Sequence, residues 1–208
     1  MALVELSASD LGSLLCSRVC HDVISPVGAI NNGLELLDEG GMDEDAMALI
    51  RQSAVNASAR LQFARIAFGA AGSAGVQIDT GDAQVVAENY MKNEKPEFTW
   101  QGTRAYLPKA KVKLILNLLL IANGSVPRGG SVDFSMETEG ENITLTFTAK
   151  GKMLRVPQKF QDMLDGRTSE DPIDAHSVQY YYTLLLAKEA GMEISVHMDD
   201  EKIIYSAA

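Results

Sequence analysis

Met47, Ile50, Ala54, Ala57, Leu61, Ala64 and Phe68 recur at alternating steps of three and four. This repeat constrains the fold more than any other feature of the chain. It is a heptad seam, and its alanines call for close packing against a neighbouring helix. The segment before it supplies one. Cys16, Val19, Val23, Val27, Ile30, Leu34 and Leu37 form a second apolar stripe at helical spacing. Ser7, Ser9 and Asp10 offer N-caps for that first helix, which should run to about Asp38 and end at Gly40-Gly41. Asp43 to Asp45 place acids at the positive end of the second helix. The two helices should form an antiparallel hairpin. One hairpin leaves much apolar surface in water, so a second copy is expected to complete a dimeric four-helix bundle.

The stretch from Gly69 to Gly75 (GAAGSAG) reads as a linker, dividing the chain into residues 1–70 and 76–208. Beyond it the pattern becomes mixed. Asp82–Met91, Pro108–Ala122, Pro157–Leu164 and Val178–Ala190 read as helices, the last closed by Gly191. Glu97–Gln101 reads as a strand, and Val132–Thr138 with Asn142–Thr148 as a β-hairpin over Gly140-Glu141. A last hairpin joins Glu193–His197 to Lys202–Tyr205. The fold class is therefore α+β, with a mostly antiparallel sheet in the second half.

The net charge of −10, with no basic block against it, excludes nucleic acid and anionic membrane surfaces as direct partners. The most apolar run, Leu114 to Ala122, is too short to span a bilayer. Met1 to Asp10 has neither the basic nor the apolar region of a signal peptide. Two cysteines, Cys16 and Cys20, make no disulfide framework, so a reducing cytoplasmic setting is expected. With His21 they offer only three ligands pointing in different directions, so no metal site is expected.

His21-Asp22-Val23-Ile24-Ser25-Pro26 lies inside the first helix. At 100° per residue, His21 projects roughly 160° away from the centre of the apolar stripe, into solvent. Its face carries Leu14, Ser17, Arg18, Ser25, Gly28 and Asn32, a mostly small or polar surface that a partner backbone could approach. Imidazole is a competent nucleophile near neutral pH. Asp22 could bias its tautomer or accept a proton. Pro26 should bend the helix and free the Asp22 carbonyl, because proline has no N–H to donate. His176 and His197 stand in no comparable motif, and ordinary surface or hairpin roles are expected for them. Tyr180-Tyr181-Tyr182 suits either an interface or a buried helix.

His21-Asp22 followed by Pro26 resembles the phosphoacceptor box of histidine kinases. The second half resembles their ATP-binding domain: Asn117 to Ala122 is similar to the asparagine box, and Ala149-Lys150-Gly151-Lys152-Met153 stands where an Asp-x-Gly-x-Gly loop would be. The departures are specific. The second asparagine, which would hold Mg²⁺, is Ile121; the adenine-reading aspartate is Ala149; and Gln179 to Thr183 stand where a glycine lid would be. A phosphoacceptor hairpin joined to a degenerate ATP-binding α/β sandwich is similar to the ChpT-type histidine phosphotransferases of the alphaproteobacterial cell-cycle phosphorelay.

That resemblance implies a histidine phosphotransferase. His21 would take a phosphoryl group from a phosphoaspartate on the receiver domain of a hybrid histidine kinase and pass it to downstream response regulators. It implies no cofactor bound by this chain, the Mg²⁺ being expected on the receiver. Asp22 would control the tautomer, and Arg18 would steady phosphate charge or an acidic receiver. Ser17, Cys20, Ile24, Ser25, Gly28 and Asn32 would meet the receiver. Two other functions fit the same chain: a divergent histidine kinase, and a non-catalytic dimeric scaffold that only docks receivers.

Overall fold

A computed structural model describes residues 5–39, 43–69, 77–140, 142–167 and 172–208. The chain opens with α1 (Ala8–Asp38) and α2 (Asp43–Ala67). Ser7 caps α1, its hydroxyl oxygen accepting from the Asp10 N–H. Pro26 is buried inside α1 without ending the helix. The stop expected at Gly40-Gly41 and most of the expected linker lie outside the described residues.

The two helices meet most closely at Gly33. A Cβ there would lie 2.6 Å from Ile50 Cγ1 and 3.3 Å from the Ala46 carbonyl oxygen. The contact face of α1 is therefore centred on Pro26 and Gly33, rotated away from the stripe that the spacing suggested. Val19, Val23, Ile30 and Leu37 are half-buried, while Cys16, Val27 and Leu34 stay exposed. On α2 the seam divides evenly. Ile50, Ala57 and Ala64 turn inward, whereas Met47, Ala54 and Leu61 face solvent. Each stripe is wide enough for two neighbours, and one hairpin supplies only one.

The remaining elements are β1 (Gln77–Asp79), α3 (Thr80–Met91), β2 (Glu97–Gln101), β3 (Tyr106–Pro108), α4 (Lys109–Gly124), β4 (Ser131–Glu139), β5 (Asn142–Lys150), α5 (Gln158–Leu164), α6 (Val178–Ala190), β6 (Ile194–Met198) and β7 (Ile203–Ala207). A five-stranded sheet has the order β2-β4-β5-β7-β6, with β2 parallel to β4 and the other pairs antiparallel. The expected strands and both hairpins are present. A short β1–β3 ladder was not foreseen, because three-residue strands are too short to show a period. Helices cover the sheet, with α4 at the centre: Leu114, Ile115, Leu116, Leu118 and Leu119 are wholly buried. Each such side chain contributes roughly 1.5–3 kcal/mol by leaving water.

Several contacts fix the hairpin to this layer. Arg60 of α2 pairs with Glu94 at 2.8 Å and stacks over Tyr90, 5.2 Å from the ring centre. Phe63 packs its ring 4.5 Å from that of Tyr90. Asn117 of α4 donates to the carbonyl of Ala67, the last residue of α2, at 3.1 Å. Deeper in the core, Ser125 donates to the Ile121 carbonyl, so its one proton is committed and Tyr205 must donate to it at 2.6 Å.

Two predictions follow from this packing. Gly33→Ala should lower stability by about 1–2 kcal/mol, because overpacking outweighs the gain in helix propensity. Combined with Ile50→Ala, it should cost less than the sum of the two single changes in a double-mutant cycle read by urea denaturation. Burial pushes Tyr90 and Tyr205 up to about 12; the charge of Glu94 adds to the effect at Tyr90. Both phenols are neutral in either state below pH 10, where their stabilisation is complete. Between pH 10 and 12 the unfolded chain loses those protons first, so stability should fall by roughly 2–3 kcal/mol per tyrosine. Urea midpoints at pH 8 and 11 should show this loss, and Tyr90→Phe should reduce it.

Candidate functional site

His21 stands on the outer face of α1 with 59% of its side chain exposed. Ser17, Cys20, Ile24, Ser25 and Asn32 are exposed around it, and Ile24 reaches 70%. Gly28 has no atom within 4 Å of where a Cβ would stand, so the surface there is open to an approaching backbone. The structure thus gathers the residues the helical arithmetic put on one face.

Asp22 and Arg18 are used differently from a simple exposed pair. Their side chains keep only 20% and 16% exposure, and Arg18 Nε donates to Asp22 Oδ2 at 2.9 Å. The other carboxylate oxygen, Oδ1, lies 3.6 Å from His21 Nδ1. This is beyond hydrogen-bond length. Arg18 also reaches out of its helix, Nη1 donating to the His176 carbonyl at 3.4 Å. It is thereby committed to the fold on two sides and is not a free cation at the surface.

His176 is a neighbour of His21 that sequence reasoning missed. Its ring stands 4.7 Å from that of His21 at an interplanar angle of 78°, an edge-to-face pair. It precedes α6 in a turn organised by Asp174, whose Oδ1 accepts from the N–H groups of His176 (3.0 Å) and Ser177 (2.7 Å) and from the Ser177 hydroxyl (2.7 Å). Asp174-Ala175-His176-Ser177 has the composition of such a side-chain-closed turn, and that much was readable. Nothing in the sequence says that the turn faces α1. The Ser177 N–H, then its hydroxyl, and also the nearby Lys159 hold the Asp174 carboxyl well below the ordinary range, at about 2.

The rest of α6 ties the same corner together. Tyr181 is buried and its hydroxyl accepts from the Leu6 N–H at 3.2 Å. Tyr180 packs on Phe160, and Tyr182 meets Lys113 and Phe68. Tyr180 therefore belongs to the inner packing of the second half, while Tyr181 and Tyr182 also bridge to the first. The positions compared with a kinase nucleotide site are apolar: Ile121 is 1% exposed and Ala149 wholly buried. Asn117 spends its amide hydrogens on the Ala67 and Lys113 carbonyls. Its Oδ1 has no partner among the described residues. One sequestered oxygen among aliphatic side chains does not make a Mg²⁺ or phosphate site, which needs several oxygen ligands or backbone donors. Ile121 and Ala149 supply neither. Among the described residues no three His, Cys, Asp or Glu cluster for a metal, and no helix is long and apolar enough to cross a membrane.

The molecule is a helical hairpin with an outward histidine joined to an α/β layer. Residues 80–202 match the family model described as the histidine phosphotransferase C-terminal domain, and the chain belongs to that family of protein phosphotransferases. It is 70% identical over 204 residues, 98% of each chain, to Protein phosphotransferase ChpT of Brucella abortus (strain 2308). A solved structure described as a bacterial phosphotransferase superposes with a TM-score of 0.95 at 66% identity over the whole of both chains. The histidine kinase domain of the Erythrobacter litoralis EL346 blue-light activated kinase shares the fold, with a TM-score of 0.50 at 16% identity over 96% of this chain and 92% of that one.

Asp174→Ala should cost about 1 kcal/mol at neutral pH by releasing the start of α6. The native carboxyl is depressed, so its contribution is present above about pH 4 and disappears as pH falls toward 2. Thermal melts of wild type and variant should therefore differ at pH 6 and converge on acidification.

Proposed function

We propose that this phosphotransferase relays a phosphoryl group between receiver domains through a phosphohistidine at His21. The carrying observation is the outward imidazole whose Nδ1 faces the Asp22 carboxylate. The Nε2 lone pair attacks the phosphorus of an aspartyl phosphate on the first receiver, from the side opposite the carboxylate oxygen. The N–P bond forms as the P–O bond to that carboxylate breaks, and the carboxylate leaves with the electron pair. The proton on Nδ1 remains opposite Asp22, which offsets the positive charge the ring develops. The carboxylate of a second receiver then attacks phosphorus, and Nε2 leaves with its pair restored. Positioning and charge neutralisation supply most of the catalysis in such transfers, and Mg²⁺ belongs to the receivers.

Ser17, Cys20, Ile24, Ser25, Gly28 and Asn32 form the surface a receiver would cover. Its open glycine and exposed isoleucine suit a close backbone approach and an apolar contact. Arg18 acts through Asp22 and the His176 turn. No step passes through ATP, because the buried Ile121 and Ala149 offer neither a metal ligand nor an adenine reader. The protein works as a homodimer in the cytoplasm: Met47, Ala54, Leu61, Val27 and Leu34 form the uncovered half of the hairpin seam, which a second hairpin would bury.

Incubation with a radiolabelled, phosphorylated receiver domain should give rapid, acid-labile and base-stable label on the wild type. His21→Ala should reduce labelling at least a thousandfold. Equal labelling of both proteins would place the phosphoryl group elsewhere. No labelling of either, with several receivers tried, would leave a docking scaffold as the better account.

A further inference from the structure

The second imidazole beside His21 has no part in the transfer as written, and its placement is specific. His176 belongs to the α/β half, yet its ring meets that of His21 edge to face at 4.7 Å. Three restraints put it there. Arg18 of the phosphoacceptor helix holds its carbonyl, Asp174 holds its N–H, and the buried Ser177 that follows anchors the turn. The contact is between two exposed rings in water, where an unrestrained pair would not persist. Here the backbone of one ring is fixed before the rings meet.

We infer that His176 is a positioning residue for His21. This inference rests on the relay reading and adds a restraint to it. Around a helical Cα the histidine ring has alternative χ1 wells and a broad two-fold χ2, and only part of that range turns Nε2 outward with Nδ1 toward Asp22. The His176 ring, 4.7 Å away, takes up space on one side of the His21 ring and on this inference narrows that range. Among the described residues, Arg18 of α1 pairs with Asp22, Lys159 of α5 lies 3.8 Å from Asp174, and Arg155 acts on the neighbouring Tyr180. The restraint is assigned to the steric and edge-to-face contact itself, which an aromatic ring without nitrogen should supply too.

The test uses His176→Ala and His176→Phe in the full chain, with single-turnover transfer from a phosphorylated receiver measured across receiver concentrations. His176→Ala should lower the limiting first-order rate about tenfold with the half-saturating concentration unchanged, the size expected when a reacting group loses its fixed orientation. His176→Phe should restore the rate to within about twofold. An unchanged rate in the alanine variant would overturn the inference. A raised half-saturating concentration at constant limiting rate would also overturn it, by making His176 a docking contact. A readout independent of transfer is the long-range ¹H–¹⁵N spectrum of the His21 ring. It should show the Nδ1–H tautomer in wild type and the phenylalanine variant, and a mixture in His176→Ala. Unchanged His21 signals in the alanine variant would show that the ring needs no such support. Failure of the wild type itself to label would remove the relay reading and this inference together, an outcome distinct from a wild type that labels and a variant that matches it.

Discussion

The guanidinium of Arg18 joins the two halves of the protein beside His21. One of its nitrogens holds the Asp22 carboxylate and another holds the His176 carbonyl. Remove it and Asp22 loses the partner that fixes its rotamer, while the α6 turn loses its tie to α1. Both sides of the His21 ring would then be unconstrained. A half-buried arginine suits this work because its planar fork donates in two fixed directions. The energy of such a partly exposed pair is modest. What it supplies is geometry, and the remaining joints keep that geometry consistent. Arg60 with Glu94 and Tyr90, and Asn117 with the end of α2, hold the hairpin against α3 and α4 so that the short reach from Arg18 to α6 is maintained.

Much of this was legible from the residues. Both helices of the hairpin, the central apolar helix and the two β-hairpins follow from periodicity and glycine placement, because each pattern is long enough to repeat. The outward direction of His21 follows from helical geometry alone, and so does the strip from Ser17 to Asn32. The direction in which the hairpin buries itself was not legible. The regular stripes pointed to their own centres, whereas the contact formed around Pro26 and Gly33, because a helix goes where backbones can approach most closely. Stripe patterns record every apolar neighbour a helix has, and they do not say which of them belongs to its own chain.

His176 was invisible for a different reason. Sequence patterns report neighbours along an element, and its neighbour is on another element in the other half of the chain. The same limit applied to Arg18, expected to steady phosphate charge or an acidic receiver, whose bond to the His176 carbonyl no spacing along α1 could show. The nucleotide-site positions show the opposite case. Ile121 and Ala149 were informative as residue types, and the fold adds that they are interior, so the replacement of polar ligands by aliphatic side chains also contributes to the core.

The contact of Arg18 with the His176 carbonyl closes a separation of 158 residues along the chain. A ribosome therefore releases His21 and its helix long before it has made the turn that flanks them. During synthesis His21 waits for the turn that flanks it, and a chain broken before Asp174 would hold the histidine without the bond from Arg18 to the His176 carbonyl.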